Sequence, residues 1–464
     1  MHTLIDDVRK HRALIVALAV LLVLLAALAA WLAIIVTTNS PLDFYVYYMA
    51  GALLHRGQSP YVISETAWRG LASELHITHF SWPYRYPPFT AALGRVLSPL
   101  GPHSAMIVWE AANAIGFVAG AWLVGLALGG GWRLVLALGT TLFCGPVYHT
   151  LLDGQVNGLA FAFLALAFWG VMRRRTAAGG IGVAAAAALK LTPIALVAYF
   201  FWRRRWRTAL ASLATLAAMV VLFVPLVSLH GFSDYMSHAF LLTDPQRINL
   251  SPQNQSLTAV AGRLLLPQTT WADTGRAVTV HTVAIAFAAA LAVATALVLW
   301  PRRRTVRAGP AAAEVEGLGF GMVITATLVV GPFTYYHQFA WLLIPLLLIA
   351  DRLIRARRWL PLALLGALLA AVDANELLWK MAQGAMLDSG VWRLLSLPFL
   401  LAMVIWATCA VMVVRGQRRP ALAMAGTIRS VATVASPVAG TTTAADVTWP
   451  ERETVAPGRV ASGR

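Results

Sequence analysis

Residues 13–36 read ALIVALAVLLVLLAALAAWLAIIV, a run of apolar side chains without a single charge. A helix needs about 20 such residues to cross the hydrocarbon core of a bilayer, which is roughly 30 Å thick. The run is long for the apolar part of a signal peptide, and no clear small-x-small cleavage site follows it. We therefore expect a retained first transmembrane helix, preceded by a short cytoplasmic N-terminus over residues 1–12.

The same apolar character extends over most of the chain. The sequence has 464 residues, of which 59% are hydrophobic and 12% charged, and its mean hydropathy is +0.71. A soluble domain of this size needs more polar surface. The further apolar runs predict an all-α polytopic membrane protein over residues 13–415, with about 10–12 transmembrane helices. Residues 416–464, rich in Ala, Thr, Val, Pro and Gly, predict a disordered cytoplasmic tail.

The positive charges follow the membrane topology. The formal net charge is +17, and most basic residues are arginines clustered beside apolar runs. Such clusters mark cytoplasmic ends of helices, whereas no basic, aromatic-interleaved segment indicates a nucleic-acid partner. One topology satisfies every cluster, with large extracytoplasmic loops at about 37–103 and 228–276. Only about 25 residues separate the clusters at 173–175 and 203–207, which predicts two half-length or re-entrant helices interrupted around Lys190–Pro193.

Two polar residues stand out from their apolar surroundings. Asp43 closely follows the first apolar run, where it is either a helix N-cap or a reactive carboxylate. Lys190, one of three lysines, follows a run of alanines. An unpaired ammonium at membrane depth costs about 3 kcal/mol or more, so a buried anion is its expected partner; the alternative is a lysine that extends to the interface.

Other polar side chains fall on the same predicted side of the membrane and suggest one extracytoplasmic cavity, although loops are polar in any case. His337 follows two tyrosines, and it could bind a phosphate or a sugar hydroxyl or belong to an interfacial aromatic belt. The remaining candidates are Arg85, Tyr86, His149, Asp153, Gln155, Asn157, Arg247, Asn254, Gln255, Asp373 and Glu376.

Several familiar reactive motifs are absent from the sequence. There is no HExxH, no pair of cysteine ligands, no GxxxxGK[ST], no GxSxG and no DxD-type carboxylate pair on the extracytoplasmic side. Cys144 and Cys409 lie inside apolar segments and are expected to be small core residues. The sequence predicts neither a metal nor a cofactor. An extracytoplasmic enzyme without a nucleotide needs an activated substrate that is carried by a lipid.

A series of short motifs, in this order, resembles glycosyltransferase family 87, the actinobacterial membrane mannosyltransferases of the GT-C superfamily. The matching stretches are Leu42–Tyr47, Gly57–Tyr61, Tyr84–Phe89, Asp153–Asn157, Leu189–Pro193, Asn254–Leu257 and Tyr336–Gln338. The resemblance implies a GT-C-like bundle with extracytoplasmic loops and a catalytic Asp in the first of them, which is Asp43 here. It also implies a polyprenyl-phosphate sugar as donor.

Together these observations predict a hexosyltransferase of the plasma membrane with an extracytoplasmic active site. The sugar would be mannose, and the acceptor a cell-envelope glycolipid or glycan. One carboxylate suffices for an inverting single displacement, since no covalent intermediate forms. Lys190, Arg85 and His337 would stabilise the departing phosphate. The family also contains arabinofuranosyltransferases, and a transporter or flippase for a lipid-linked sugar is the alternative outside it.

Overall fold

A computed structural model describes residues 42–239, 247–266, 271–273, 276–301, 309–381 and 396–434. The predicted N-terminus and first transmembrane helix lie outside these ranges. The helices, numbered in chain order, are α1 (Leu42–His55), α2 (Glu65–Glu74), α3 (Pro88–Leu97), α4 (Pro102–Leu128), α5 (Trp132–Leu142), α6 (Gly145–Asp153), α7 (Asn157–Met172), α8 (Thr176–Leu189), α9 (Ala195–Trp202), α10 (Trp206–Asp234), α11 (Leu257–Leu265), α12 (Arg276–Val298), α13 (Pro310–Val330), α14 (Leu343–Arg355), α15 (Trp359–Met381) and α16 (Leu397–Val434).

Shorter elements connect these helices. Two antiparallel strands, β1 (Arg247–Asn249) and β2 (Trp271–Asp273), pair with Arg247 opposite Asp273. Helical turns of the 3₁₀ type occur at Ser98–Leu100, Thr192–Ile194 and Tyr336–Leu342, and a π-helical turn occurs at Tyr235–Ala239.

The described residues confirm an all-α polytopic membrane protein. By length and composition, six helical segments can cross a bilayer: α4, α10, α12, α13, the 3₁₀ turn together with α14, and α16. Helices α5 and α6 form a seventh such segment that is bent by 53°. Shorter apolar helices, among them α7, α8 and α9, complete the predicted mixture of full-length and half-length helices.

The predicted interruption near Lys190 is confirmed. Helix α8 ends at Leu189, Lys190 has an extended backbone, and Pro193 lies within the 3₁₀ turn that precedes α9. The hydroxyl of Thr90 donates a hydrogen bond of 3.0 Å to the carbonyl of Leu189. One of the backbone acceptors left free at the helix end is therefore satisfied inside the protein.

Close packing of glycines brings the elements of the site together. A Cβ atom at Gly51 of α1 would collide with the backbone of Gly94 in α3. A Cβ atom at Gly116 of α4 would lie 2.6 Å from the carbonyl oxygen of Gly158 in α7. The pairs α1–α3 and α4–α7 therefore touch backbone to backbone.

The arginine clusters meet at one end of the bundle, where α13 begins. Glu314 in the first turns of α13 pairs with Arg352 at 3.0 Å, and Glu316 one half-turn later pairs with Arg203 at 2.5 Å. Asp351 pairs with Arg133 at 2.5 Å. Clusters far apart in sequence thus share one end of the helices, as the topology requires.

The described part of the C-terminal region is helical as far as Val434, where α16 ends. The disordered cytoplasmic tail over residues 416–464 stays a prediction. Residues 435–464 lie outside the described part of the chain.

Candidate active site

Asp43 lies inside the first turn of α1, where the positive end of the helix dipole favours a carboxylate. Its Oδ2 accepts a hydrogen bond of 2.5 Å from Nε2 of Gln155. The carboxylate therefore interacts both with the dipole of its own helix and with a side chain that is distant in sequence. Oδ1 accepts no hydrogen bond from any residue described. Burial, the largest effect, raises the pKa of Asp43 above its ordinary value; the charge of Asp153 also raises this pKa, whereas His337, Gln155 and Lys190 lower it.

Gln155 is the centre of the hydrogen-bond network. It follows Gly154, whose left-handed backbone (φ 68°) turns the chain out of α6. The Gln155 amide nitrogen also donates to the hydroxyl of Tyr86 at 2.9 Å, and its oxygen accepts from the hydroxyl of Tyr47 at 3.0 Å and from Nζ of Lys190 at 3.4 Å. Both donors and both acceptor positions of the amide are occupied. Its orientation, and with it the position of Asp43, is fixed.

Lys190 has only neutral partners. Its Nζ lies 3.2 Å from Oδ1 of Asn157 and 3.4 Å from Oε1 of Gln155, and 6.0 Å from the centre of the Tyr86 ring. Among the residues that the structure describes, no carboxylate lies within ion-pair distance. The ammonium lies at the break between α8 and α9, where it is available to an anion.

His337 lies in the 3₁₀ turn that precedes α14. Its Nδ1 is 3.3 Å from Oδ2 of Asp153, and its ring stacks on that of Tyr335 with centroids 5.8 Å apart. Its main-chain oxygen accepts a hydrogen bond of 3.2 Å from Thr150 of α6. Nε2 is buried without a partner among the described residues, and it is available to a hydroxyl or a phosphate oxygen.

The Tyr84–Pro88 segment contributes a second cation. The guanidinium of Arg85 lies 5.1 Å from the centre of the Phe333 ring, and this side chain is exposed. The ring of Tyr86 packs edge-on against that of Tyr47, with ring centroids 4.6 Å apart. The main-chain oxygen of Tyr86 accepts a hydrogen bond of 2.9 Å from the hydroxyl of Tyr61. Pro87 and Pro88 then start α3 directly behind the site.

These groups line one cavity of about 1200 Å³. Asp43, Arg85, Tyr86, Gln155, Lys190 and His337 lie on its wall, together with His149 and Asp153. Beyond Lys190 the cavity continues as an apolar groove between α9, α12 and α13. The groove residues are mostly small or aliphatic, and they include Ala195, Ala198, Ala288, Ala292, Val323 and Ala326. Tyr199, Trp202 and Leu299 lie at its far end.

Among the described residues that line this cavity, four other candidates are missing: Asn157, Asn254, Gln255 and Asp373. Nζ of Lys190 donates to Oδ1 of Asn157 at 3.2 Å. Asn254 and Gln255 are buried. Their segment is joined to the loop before α14 by a hydrogen bond of 2.6 Å from the main-chain N–H of Gln255 to the main-chain carbonyl of Thr334. Asp373 accepts a hydrogen bond of 2.7 Å from the hydroxyl of Tyr336. Arg247 begins β1, and its side chain, like that of Glu376, lies outside the described part.

Sequence reasoning missed four residues at or near the site. Tyr47 is four residues after Asp43, so helical periodicity puts the two on one face, and this signal was available from the sequence. Tyr335, Asn249 and Gln253 also line the cavity, and nothing in the local sequence distinguishes them from other loop residues. Within the described residues, no group of three His, Cys, Asp or Glu side chains is placed to hold a metal ion.

Fold and site together define an integral membrane protein with a carboxylate and an unneutralised lysine at the head of an apolar groove. The model of glycosyltransferase family 87 matches residues 84–329, more than half of the chain, and the chain belongs to that family. The match contains Arg85, Gln155, Lys190 and the Asn254 segment, whereas Asp43 lies 41 residues before it and His337 eight residues after it.

One curated relative is the polyprenol-phosphate-mannose-dependent alpha-(1-2)-phosphatidylinositol mannoside mannosyltransferase of Mycobacterium tuberculosis, which is 30% identical over 239 residues. The alignment covers 50% of each chain, so this chain matches about half the length of that relative. No solved structure matches the chain significantly.

Proposed function

We propose that the protein transfers mannose from a polyprenyl-phosphate donor to a cell-envelope glycolipid or glycan, by an inverting single displacement on the extracytoplasmic side of the cell membrane. The observation that carries this proposal is the Asp43–Gln155–Lys190 cluster at the mouth of an apolar groove. A polyprenyl-phosphate sugar has the same order of parts: a reactive anomeric carbon, a phosphate and a long apolar chain.

The groove fits the chain of such a donor. Its walls come from α9, α12 and α13, and alanines at Ala195, Ala292 and Ala326 leave room where larger side chains would meet. Burying each CH₂ group of a lipid contributes about 0.8 kcal/mol. The groove therefore supplies affinity, while its polar end sets the position of the phosphate.

The charged groups at the head of the groove are suited to the leaving phosphate. Lys190 meets only neutral oxygens in the described structure, and the exposed Arg85 lines the same cavity. As the bond between the anomeric carbon and the phosphate oxygen breaks, negative charge grows on that oxygen. Fixed cations there stabilise the transition state more than the bound donor.

Asp43 takes the role of general base. The acceptor hydroxyl oxygen attacks the anomeric carbon, the bond to phosphate breaks, and polyprenyl phosphate leaves with the electron pair. The proton of the hydroxyl passes to Oδ1 of Asp43, while Oδ2 stays held by Gln155. His337 is placed to hydrogen-bond a hydroxyl of the sugar through Nε2, because Asp153 holds its other nitrogen.

The arginine-rich end supports the proposed sidedness. The clusters that pair with Glu314 and Glu316 lie where α13 begins, and α7 and α8 connect that end to the residues around Asp43. Clusters of arginine beside apolar helices stay on the cytoplasmic side. The cavity would then open on the other side, where lipid-linked sugars serve as donors in place of nucleotide sugars.

The direct test uses purified protein in liposomes with radiolabelled polyprenyl-phosphate mannose and a panel of mannosylated glycolipid acceptors. We expect label in the acceptor, with inverted anomeric configuration, for the wild type and none for Asp43→Asn. Movement of intact donor across the bilayer without labelled acceptor would instead show that the protein is a transporter. If Asp43→Asn forms the product as well as the wild type does, Asp43 is not the general base.

The groove has its own test. Ala292→Phe should fill it and reduce kcat/KM at least tenfold for a long-chain donor, with a much smaller effect on a donor carrying a ten-carbon chain. Ala290→Phe is the matched control, since it lies on the same helix about 200° away and does not line the cavity. Equal losses for both chain lengths, or for both variants, would place the lipid chain elsewhere.

A further inference from the structure

A second cavity, of about 850 Å³, lies at the opposite end of the bundle from Asp43. Helix α7 runs from Asn157, which contacts Lys190, to Met172, and α8 returns from Thr176 to Leu189. With 1.5 Å per residue, these helices place the second cavity roughly 21–24 Å from Lys190. The second cavity is bounded by the turn after α7, the turn after α9 and the start of α13.

The two turns have the same sequence and the same backbone. Each consists of three arginines between a helix end and the next helix start, namely Arg173–Arg175 and Arg203–Arg205. The middle arginine has a left-handed backbone in both, with φ of 56° at Arg174 and 57° at Arg204. Glycine is the usual residue at this position after a helix, because it adopts a positive φ without strain. In both turns an arginine occupies this position instead.

The charges around this cavity are not balanced. Six arginines line it: Arg174, Arg175, Arg203, Arg204, Arg205 and Arg207. The carboxylate in the lining is Glu316, which pairs with Arg203 at 2.5 Å and Arg205 at 3.2 Å. In the ranges that the structure covers, the other four arginines have no carboxylate within 4 Å. Membrane topology requires basic residues at the cytoplasmic ends of helices, but it does not require them to line the same cavity.

Two helices also begin at this cavity. Arg175 and Arg205 are the N-cap residues of α8 and α10, and neither helix has a side-chain hydrogen bond at its N-cap. The first N–H groups of both helices are thus left for a ligand or for water, and both dipoles place partial positive charge there. Their field adds to that of the arginines.

We propose that this cavity binds a phosphate group. The phosphate is supplied either by the diester headgroup of an anionic phospholipid or by a free phosphate in solution, and planar guanidinium groups and helix N-termini match its oxygens. Trp202 and Trp300 pack edge-on at 5.1 Å beside the cavity, as aromatic residues do at the level of lipid headgroups. Basic cavities between helices at a cytoplasmic surface bind lipid headgroups in this way. This proposal is independent of the chemistry at Asp43.

The test measures lipid binding to the purified full-length protein by native mass spectrometry, with phosphatidylglycerol compared with phosphatidylcholine. A second arm titrates inorganic phosphate and pyrophosphate against thermal stability in detergent. We expect saturable binding in one arm, weakened about 25-fold by the double substitution Arg174→Gln and Arg207→Gln, since each surface arginine contributes about fivefold. Binding in the first arm identifies the lipid as the source, and binding in the second identifies free phosphate.

Arg357→Gln with Arg358→Gln is the matched control. Arg357 also has a left-handed backbone after a helix (φ 53°), and neither residue lines the cavity. The control should change binding by less than twofold. If the double variant at Arg174 and Arg207 does not fold, the selectivity of the wild type for phosphatidylglycerol over phosphatidylcholine decides the lipid arm. No saturable binding in either arm, or equal weakening by the control pair, overturns the proposal.

Discussion

Replacing Lys190 by Met separates a donor-binding role from a structural one. Methionine has a similar length but no charge. In the protein, Nζ makes two long contacts to neutral oxygens, at 3.2 Å and 3.4 Å, which contribute little to folding. Removing a buried charge that lacks a counter-ion also relieves its desolvation cost. We therefore expect the free energy of unfolding to change by less than about 1 kcal/mol.

The kinetic effect should be much larger. A hydrogen bond to a charged group contributes about 1.5–3 kcal/mol, so loss of the contact to the donor phosphate predicts a fall of roughly 10-fold to 150-fold in kcat/KM. The assay varies polyprenyl-phosphate mannose at saturating acceptor, and then acceptor at saturating donor. Lys190→Arg, which keeps the charge, should recover part of the loss.

A structural lysine would give the opposite pattern. The unfolding temperature of Lys190→Met would drop, and the defect would appear equally with donor and acceptor. A loss below about threefold in donor kcat/KM, in a variant of normal stability, would refute the phosphate contact, and Arg85 would become the better candidate.

Three further predictions concern the base and the topology. Asp43→Asn should insert and fold normally but lose transfer by more than about 100-fold, because an amide cannot accept the proton; near-normal turnover would contradict the assignment. Asp43 must be ionised to act, and burial raises its pKa above 3.8, so kcat/KM should fall as pH drops through that raised pKa. Since the Gln155 hydrogen bond lowers this pKa, Gln155→Leu should move the acidic limb of the pH profile to higher pH, and an unchanged limb would assign it to another group. For topology, cysteines at the exposed positions Thr66 and Thr176 should react with an impermeant thiol reagent from opposite sides of the membrane, with Thr66→Cys labelled from outside; the buried Cys144 and Cys409 give little background.

The sequence predicted the features that depend on local composition. Apolar length indicates the helices, and Pro193 beside Lys190 indicates their interruption, because each effect arises within a few residues. The i, i+4 relation of Asp43 to Tyr47 was equally available in the sequence, but it was not used. Arginine clusters predicted which helix ends meet, and ion pairs such as Arg133–Asp351 agree with that prediction.

Features that depend on distant segments were not predictable in this way. Gln155 joins Asp43 and Tyr47 of α1 to Tyr86 and Lys190, and no local pattern specifies an amide whose four partners come from three separate segments. Asn254 and Gln255 were predicted as site residues, but they do not line the cavity in the described structure. Their amides satisfy backbone groups of a buried loop as readily as those of a ligand, so composition alone does not distinguish packing from binding.

The short length of α8 determines how deep the chemistry lies. From the arginine turn at residue 175, its 14 residues rise about 21 Å, whereas the hydrocarbon layer is roughly 30 Å thick. On the proposed orientation, Lys190 then lies about 9 Å beneath the opposite surface of that layer. A donor phosphate reaches it only by sinking below the plane of the neighbouring headgroups, while its chain lies in the groove between α9, α12 and α13. The depth of Lys190 in the bilayer thus selects donors whose phosphate can reach it, before any hydroxyl of the sugar is recognised.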